Sequence, residues 1–215
     1  MSSFEMRIGL EVHCELKTRT KLLCSCRNSF GDEPGANCCP VCTGYPGALP
    51  SLNKSAVIMA VTAALALNCE PSEMCAWDRK NYFYPDLPKA WQTTQYFMPI
   101  AREGEFFFSS GGEKKSVGIA RIQLEEDAGK LVHRGGVTTI DFNRCGVPLI
   151  EIVTRPSLSS PKEAADALSA IKTAMKYAGV SDVKMQEGSL RCDDNLSVKK
   201  SGAEWGERTE AKNLA

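Results

Sequence analysis

The stretch Ile8-Gly-Leu-Glu-Val-His-Cys-Glu-Leu16 has the alternating pattern of a strand, and we expect the fold to be organised around it. Side chains of a strand alternate between two faces, so an apolar face and a polar face result. The polar face carries Glu11, His13 and Glu15, whose oxygen and nitrogen atoms suit magnesium or manganese, or general acid–base chemistry. An edge strand with one solvated face explains the same pattern. The apolar face consists of Leu10, Val12, Cys14 and Leu16.

The composition is that of a globular protein, with 43% hydrophobic and 24% charged residues in a chain of 215. This length accommodates one large domain or two small ones. Lys plus Arg and Asp plus Glu number 26 each, and this zero net charge limits any RNA contact to a local patch. The N-terminus has no signal pattern, and no apolar run approaches the ~18 residues of a membrane span. A cytoplasmic protein is therefore expected.

Two close cysteine pairs predict a zinc knuckle at about residues 22–44. The pairs are Cys24-x-Cys26 and Cys39-x-x-Cys42, and four thiolates in a tetrahedron are what structural zinc prefers. Free, reduced thiols around an ordinary loop are the alternative, and Cys38 could compete with Cys39 as a ligand. The remaining cysteines are expected to be small core residues, namely Cys14, Cys69, Cys75, Cys145 and Cys192.

Two helices are predicted. The first runs from Leu52 to Leu67 with Ser51 as its N-cap, and its apolar residues lie almost all round, which is typical of a helix buried on most sides. The second begins at the capping box Ser160-Pro-Lys-Glu163 and runs to Ala178, ending at Gly179.

Most of the remaining chain has the pattern of strands joined as antiparallel hairpins. Hairpin-like segments lie at Phe106–Phe108, Val117–Asp127 and Val137–Phe142, separated by Gly-rich turns. The segment Val183–Ala215 has the pattern of strands with a turn near Gly202.

The segment Asp78–Lys89 has neither helical nor strand periodicity, and its basic and aromatic residues are interleaved. Loops on a rigid scaffold commonly carry binding residues. Basic side chains here can neutralise phosphates, and tyrosines can stack on a base or ribose. A surface loop pinned by its aromatics is the alternative. The binding candidates are Arg79, Lys80, Tyr82, Tyr84 and Lys89.

Two carboxylates fall where apolar residues are expected. In Ala120–Asp127, alternation places Glu126 on one face with Ala120, Ile122 and Leu124. In Pro148–Val153 both faces are apolar except at Glu151. A buried carboxylate is costly unless it is paired or holds a metal. For Glu151 a salt bridge is the alternative, to Arg121, Arg144 or Arg155.

With these residues in view, the chain resembles the B subunit of the glutamine-dependent Glu-tRNA(Gln)/Asp-tRNA(Asn) amidotransferase, the GatB/GatE family. The resemblance covers the chain end to end. The matching stretches are Ile8–His13, Tyr45–Pro50, Asp78–Asp86, Glu125–Lys130, Asp141–Arg144, Pro148–Ile152, Ser181–Met185, Glu187–Arg191 and Lys212–Leu214.

The resemblance implies a cradle-shaped, kinase-like α+β catalytic domain. Such a domain uses ATP and magnesium to phosphorylate the side-chain carboxylate of glutamate or aspartate on misacylated tRNA, and ammonia then displaces the phosphate. The ammonia comes from a glutaminase A subunit, and a small C subunit ties A and B together. The implied magnesium ligands are Glu11, His13, Glu126 and Glu151, with Glu125 as the alternative to Glu126.

The resemblance also implies that residues 1–215 are the N-terminal part of the subunit. The rest of the catalytic domain and the helical tRNA-binding tail are then missing, so the chain alone is expected to be inactive. The zinc is implied to be structural. Two other readings of the residues are an RNA-binding zinc knuckle without chemistry and a metal-dependent hydrolase. Phosphate release from ATP only with aminoacylated tRNA separates the amidotransferase from both.

Overall fold

The computed structural model describes residues 4–212, which form one seven-stranded antiparallel sheet, two helices and two separate hairpins. The strand order in the large sheet is β11-β10-β1-β9-β6-β5-β2. The strands are β1 (Phe4–Glu15), β2 (Cys69–Pro71), β3 (Asp78–Asn81), β4 (Trp91–Thr94), β5 (Ala101–Ser110), β6 (Glu113–Glu126), β7 (Lys130–Arg134), β8 (Val137–Asp141), β9 (Pro148–Thr154), β10 (Leu190–Lys200) and β11 (Thr209–Ala211). The helices are α1 (Lys54–Ala66) and α2 (Pro161–Tyr177). An α+β fold with a mostly antiparallel sheet is confirmed.

Strand β1 lies in the middle of the sheet, so the alternative of an edge strand is wrong. It pairs with β10 on one side and β9 on the other. Leu10, Val12 and Cys14 are buried in the main core, beneath α1 and α2. Burial of that face removes about 25 cal/mol of unfavourable hydration per Å² of apolar surface. The polar residues of β1 lie on the face of the sheet away from the helices.

A β-bulge in β6 corrects the alternation predicted for that strand. The pairing of β6 with β9 shifts register between Ile119 and Arg121. Ile119 and Ile122 are both fully buried, while Ala120 between them is only half-buried. Assigning Ala120 to the same face as Ile122 was therefore wrong, because the extra residue of a bulge resets the period of two.

Helix α1 differs from its prediction at its start and in its burial. The N-cap is Asn53, not Ser51, and the Asn53 side chain accepts hydrogen bonds from the backbone of Ser55 and Ala56. Only a face of small residues is buried, whereas Ile58 and Leu65 are more than half exposed. A helix buried on most sides was thus wrong, because its fully buried residues are alanines that let α1 approach the sheet closely. The larger residues Val57, Met59 and Val61 pack against the core only partly buried.

Helix α2 confirms its prediction. The Ser160 side chain accepts a hydrogen bond from the Glu163 backbone N–H, and Pro161 occupies the first turn. The Glu163 carboxylate accepts from Ser159 instead of closing the box on Ser160. Gly179 follows the helix with a positive φ of 71°, which glycine adopts without strain. The buried residues of α2 are Ala164, Ala167, Ile171 and Met175.

The two small hairpins lie outside the large sheet. Strands β3 and β4 form one, so the segment Asp78–Lys89 begins as a strand and is not irregular throughout. Strands β7 and β8 form the other. Strand β10 turns through Gly202 into β11, as predicted for this region, while Asn213 and Leu214 of the last matching stretch lie outside the described residues. Within residues 4–212 no helix combines the length and apolar character needed to cross a membrane.

Candidate catalytic face and metal centre

The register of the sheet brings three predicted site residues to one face. His13 of β1 lies directly opposite Glu151 of β9, and Glu151 lies opposite Gln123 of β6. The His13 Nε2 and Glu151 Oε1 atoms are 3.5 Å apart. Glu11, two residues before His13, shares this face, and the Asn195 side-chain amide donates to its carboxylate at 2.9 Å. We call this the polar face.

Glu126 does not lie on the polar face. It follows Glu125, and neighbouring residues of a strand point to opposite sides. The Glu126 carboxylate forms an ion pair with the Lys89 ammonium and accepts from the Thr93 backbone N–H at 3.1 Å. Convergence of Glu126 with Glu11, His13 and Glu151 is therefore wrong. Glu125 takes that place, since the Gln123 amide donates to both Glu125, at 3.2 Å, and Glu151.

Burial and neighbouring charges shift the pKa values of the residues on the polar face. Burial lowers the pKa of His13, but the Glu151 carboxylate outweighs this effect, so the pKa of His13 lies above its ordinary value. Burial raises the pKa of Glu151, and its bond to His13 outweighs burial in turn and lowers it. Burial, followed by repulsion from Glu151, raises the pKa of Glu125 to about 7. A cation placed among these groups would relieve that repulsion.

The ligand atoms of the polar face are spread out. Within the described part of the chain, one group of three or more His, Cys, Asp or Glu residues has all its ligand atoms within 4.8 Å of one another, and it consists of cysteines. The ligand residues of the polar face therefore lie on one side of the sheet, but their ligand atoms are not all close to one another. These residues are Glu11, His13, Glu125 and Glu151.

The binding candidates of the β3–β4 hairpin differ in their exposure and in the contacts that their side chains already make. Lys89 is buried, with 9% of its side chain exposed, and is engaged by Glu126. The Arg79 guanidinium lies 4.5 Å from the Trp91 ring centroid. Tyr82 and Tyr84 are exposed. Lys80 acts electrostatically on both Glu125 and Glu151, so this hairpin borders the polar face.

The four predicted zinc ligands converge. The Sγ atoms of the two pairs all lie within 4.8 Å of one another. Sulfurs bound at about 2.3 Å around a tetrahedral ion are about 3.8 Å apart, and the Cys39 and Cys42 Sγ atoms are 3.9 Å apart. The Cys39 backbone N–H donates to Cys42 Sγ at 3.2 Å. The geometry therefore fits a tetrahedral metal centre, formed by Cys24, Cys26, Cys39 and Cys42.

The thiols of this cluster have displaced pKa values even without an ion. A hydrogen bond from Cys24 is the largest cause that lowers the pKa of Cys42, to about 4. Burial raises the pKa of Cys26 to about 11. Cys38 stands outside the converging set, so it does not replace Cys39 there. Of the cysteines expected in the core, Cys75 is half-buried, and the buried ones are Cys14, Cys69, Cys145 and Cys192.

Comparison with known proteins identifies the family of this chain. A family model described as the GatB/GatE catalytic domain matches residues 6–215. The chain belongs to this family. Proteins named as the B subunit of aspartyl/glutamyl-tRNA(Asn/Gln) amidotransferase are 52% identical to it in Carboxydothermus hydrogenoformans, 56% in Caldicellulosiruptor saccharolyticus and 54% in Lachnoclostridium phytofermentans.

These alignments cover 98–100% of this GatB/GatE domain but only 45–46% of the relatives. The chain thus spans slightly less than half the length of the relatives it matches.

One charged cluster of this GatB/GatE domain was missed by sequence reasoning. The Arg191 guanidinium donates to the buried Asp127 carboxylate at 2.8 Å, and Arg144 Nε lies 3.7 Å from it. Burial raises the pKa of Asp127, but Arg191 and Arg144 outweigh burial and lower it. Burial, followed by repulsion from Asp127, raises the pKa of Glu15 to about 8. The run of three acids at Glu125–Asp127 was the available signal, since neighbouring strand positions cannot all face solvent.

A cavity of about 530 Å³ opens beside this cluster. Glu15 and Arg144 line it, together with Lys17, Lys130 and Ser189. Its volume is within the range of small-molecule sites.

Proposed function

We propose that this chain is the N-terminal part of the catalytic domain of an amidotransferase B subunit. It contributes to ATP-dependent phosphorylation of the side-chain carboxylate of Glu-tRNA(Gln), Asp-tRNA(Asn) or both. Ammonia then displaces the phosphate and gives Gln-tRNA or Asn-tRNA. The observation that carries this proposal is the polar face, because His13, Glu125 and Glu151 meet there on three adjacent strands.

Magnesium is the proposed ion of the polar face. The ion would be held by His13, Glu125 and Glu151. Glu11 lies on the same face, where the Asn195 side chain donates a hydrogen bond to its carboxylate. Hard divalent ions prefer oxygen ligands, and magnesium usually keeps several waters, so the spread of these atoms suits indirect contacts. Phosphoryl transfer depends mainly on positioning and charge neutralisation, which the ion supplies when bound. Burial and repulsion from Glu151 raise the pKa of Glu125, and a cation at this place would relieve that repulsion.

The nucleotide and the aminoacylated end are proposed to lie next to the β3–β4 hairpin. Arg79 and Lys80 supply positive charge at the border of the polar face, and the exposed Tyr82 and Tyr84 rings can stack on a base or ribose. Lys89 is another phosphate-binding candidate of the sequence, but its ammonium is already paired with the Glu126 carboxylate. It is therefore not among the residues proposed to bind phosphate.

Zinc is proposed at the four-cysteine centre, with a structural role. All four ligands are protein thiolates, so no coordination position is left open for substrate, as in structural sites generally. The sulfur spacing supports this proposal. Zinc analysis of the protein purified without added metal tests it, and we expect one zinc per chain.

The partners are proposed from the names of the relatives and from the family resemblance. A protein named as the B subunit implies an assembly, and we propose a glutaminase A subunit, a small C subunit and misacylated tRNA as its other members. Because the substrate is a tRNA used in translation, we propose that the complex is cytoplasmic. The catalytic domain is proposed to be cradle-shaped and kinase-like.

The deciding experiment uses the full-length, reconstituted complex with each misacylated tRNA. We expect phosphate release from ATP that depends on aminoacylated tRNA and on magnesium. Substitution Glu151→Gln keeps the shape of the side chain and removes its charge. It should abolish ATP-dependent amidation while the glutaminase activity of the A subunit persists.

Two results would contradict the proposal. Binding of tRNA without any ATP turnover would favour an RNA-binding zinc module. Metal-dependent hydrolysis of a substrate without ATP would favour a hydrolase that uses the same carboxylates.

A further inference from the structure

Lys21 is fully buried beside the four-cysteine centre, with 0% of the residue exposed. Lysine is almost never fully buried unless its charge is compensated. Its ammonium donates to the Asn37 carbonyl at 2.6 Å, and lies 3.5 Å both from Cys42 Sγ and from the Phe142 carbonyl. Three N–H groups therefore face three acceptors.

Two of these three acceptors are neutral carbonyls. Within residues 4–212, no carboxylate oxygen lies within 4.0 Å of the Lys21 ammonium. Burying an ammonium without a compensating anion costs several kcal/mol. The anionic partner that the structure offers is the Cys42 thiolate.

Four thiolates around one zinc ion carry a net charge of about −2, which is itself costly in a buried place. We propose that Lys21 is the charge-balancing residue of the four-cysteine centre, and that it positions Cys42 by donating a hydrogen bond to its sulfur. This inference rests on the proposed zinc site and goes beyond it. One contact compensates both the buried Lys21 ammonium and the negative charge of the zinc–thiolate centre. Outer hydrogen bonds of this kind orient metal ligands and tune their affinity.

The Lys21 backbone is held from two sides. Its N–H donates to the Cys26 carbonyl at 3.0 Å, and its carbonyl accepts from the Asn53 side chain at 3.2 Å. The side chain then extends to Phe142, after β8. Lys21 thus joins the knuckle, the start of α1 and the turn after β8 at one point.

The space around Lys21 is filled. A Cβ placed on Gly146 would lie 3.6 Å from Lys21 Cδ and 3.4 Å from Cys42 Cβ. The guanidinium of arginine is larger and planar and differs from an ammonium in geometry. Methionine has similar length without charge. Lys21→Met therefore removes the ammonium with little change in volume.

Zinc affinity is the first test. Competition with a coloured chelator is measured on the whole chain as wild type, Lys21→Met and Lys54→Met, the last being an exposed lysine at the start of α1. We expect Lys21→Met to bind zinc about 10- to 100-fold more weakly, and Lys54→Met to match wild type. Equal zinc affinity of Lys21→Met and wild type would overturn the inference. Absence of zinc from wild type would instead overturn the zinc site itself.

Cobalt substitution is the second test, and a merely structural role would not change its signal. A thiolate that loses its N–H donor is more electron-rich. The sulfur-to-cobalt charge-transfer band of Lys21→Met should therefore move to longer wavelength than in wild type and in Lys54→Met. An unmoved band in a folded, cobalt-loaded Lys21→Met protein would contradict the hydrogen bond.

Wild-type protein supplies a third test, which stands even if Lys21→Met does not fold. Lysines are methylated reductively with zinc bound and again after chelation, and each site is followed by mass spectrometry. Lys21 should be protected with zinc and become reactive without it, whereas Lys54 should react in both states. Equal reactivity of Lys21 and Lys54 while zinc is bound would overturn the inference, because the Lys21 ammonium would then not be held at the four-cysteine centre.

Discussion

Glu125 and Glu126 are neighbours in the chain that the pleat of β6 sends to opposite sides of the sheet. Glu125 faces His13 and Glu151, while Glu126 is bonded to Lys89. Both carboxylates are buried, so burial alone does not separate the proposed magnesium ligand from the acid that pairs with Lys89. Their hydrogen-bond and ion-pair partners separate them.

Substituting each acid separately tests this division of roles. Glu125→Gln should weaken manganese binding to the chain at least about tenfold, because it removes a ligand. Glu126→Gln should bind manganese within about twofold of wild type. It should instead lower the free energy of unfolding by about 3 kcal/mol, since it leaves the buried Lys89 charge unpaired. Manganese titration by electron paramagnetic resonance and urea denaturation measure the two effects, and the reverse pattern would refute the assignment.

The raised pKa of Glu125 predicts a pH dependence of stability. The pKa is about 7 in the folded chain against 4.5 for an ordinary glutamate, so the folded state binds more protons between these values. Its stabilising contribution is fully present below about pH 4.5 and is lost as the pH rises through about 7. Without added magnesium, Glu125→Gln should therefore recover on the order of 2 kcal/mol in the free energy of unfolding at pH 8 relative to pH 5.

Urea denaturation at pH 5 and pH 8 measures this difference. Asp166→Asn serves as the control, because Asp166 is an acid whose pKa is lowered by its bonds to Ser110 and Lys162. Its effect on stability should be the same at both pH values. An equal effect of Glu125→Gln at both pH values would show that Glu125 titrates normally.

Part of the site was readable from the sequence because strand alternation is a local property. The period of two in β1 places Glu11 and His13 on one face without any knowledge of the partners. The bulge at Ala120 and the ion pair of Lys89 depend on the register between strands and on contacts distant in sequence. No local pattern encodes them, and Lys21 for the same reason gave no sign of its burial.

At the scale of elements, α1 shows why apolar content alone misjudges a helix. Its many apolar residues predicted burial on most sides, yet the buried residues of the helix are Ala56, Ala60, Ala63 and Ala64. Small residues permit close packing of helix on sheet, and the larger apolar residues of α1 are partly buried or exposed. By contrast, α2 separates polar from apolar residues clearly, and its prediction was confirmed.

The start of α1 gives a direct test at this scale. Asn53→Ala removes the side chain that accepts from Ser55 and Ala56 and that donates to Thr20 and Lys21. We expect a loss of about 1–2 kcal/mol in the free energy of unfolding, as for other N-caps. Ser51→Ala is the matched control and should change it by less than about 0.5 kcal/mol, as exposed substitutions usually do. Equal losses would mean that the helix is capped at Ser51.

At the scale of the whole molecule, the chain is large enough to fold but spans less than half of its relatives. We expect the isolated chain to fold cooperatively and yet not to amidate Glu-tRNA(Gln) when supplied with ATP and free ammonium, which bypasses a glutaminase. Its zero net charge gives little long-range attraction to RNA. Product formation is followed by chromatography of the released amino acid, with the full-length complex as the positive control. Robust turnover by the isolated chain would refute the division of labour proposed here.

The central position of β1 has a consequence for synthesis on the ribosome. The strand leaves the ribosome well before its two neighbours, β9 and β10, which begin only at Pro148 and Leu190. At a synthesis rate of about 5–20 residues per second, β1 remains unpaired for roughly 10–40 s until both partner strands are made. Contacts between residues so distant in sequence also slow folding once the chain is free. The strand that carries Glu11 and His13 is thus the part of the nascent chain most in need of a chaperone.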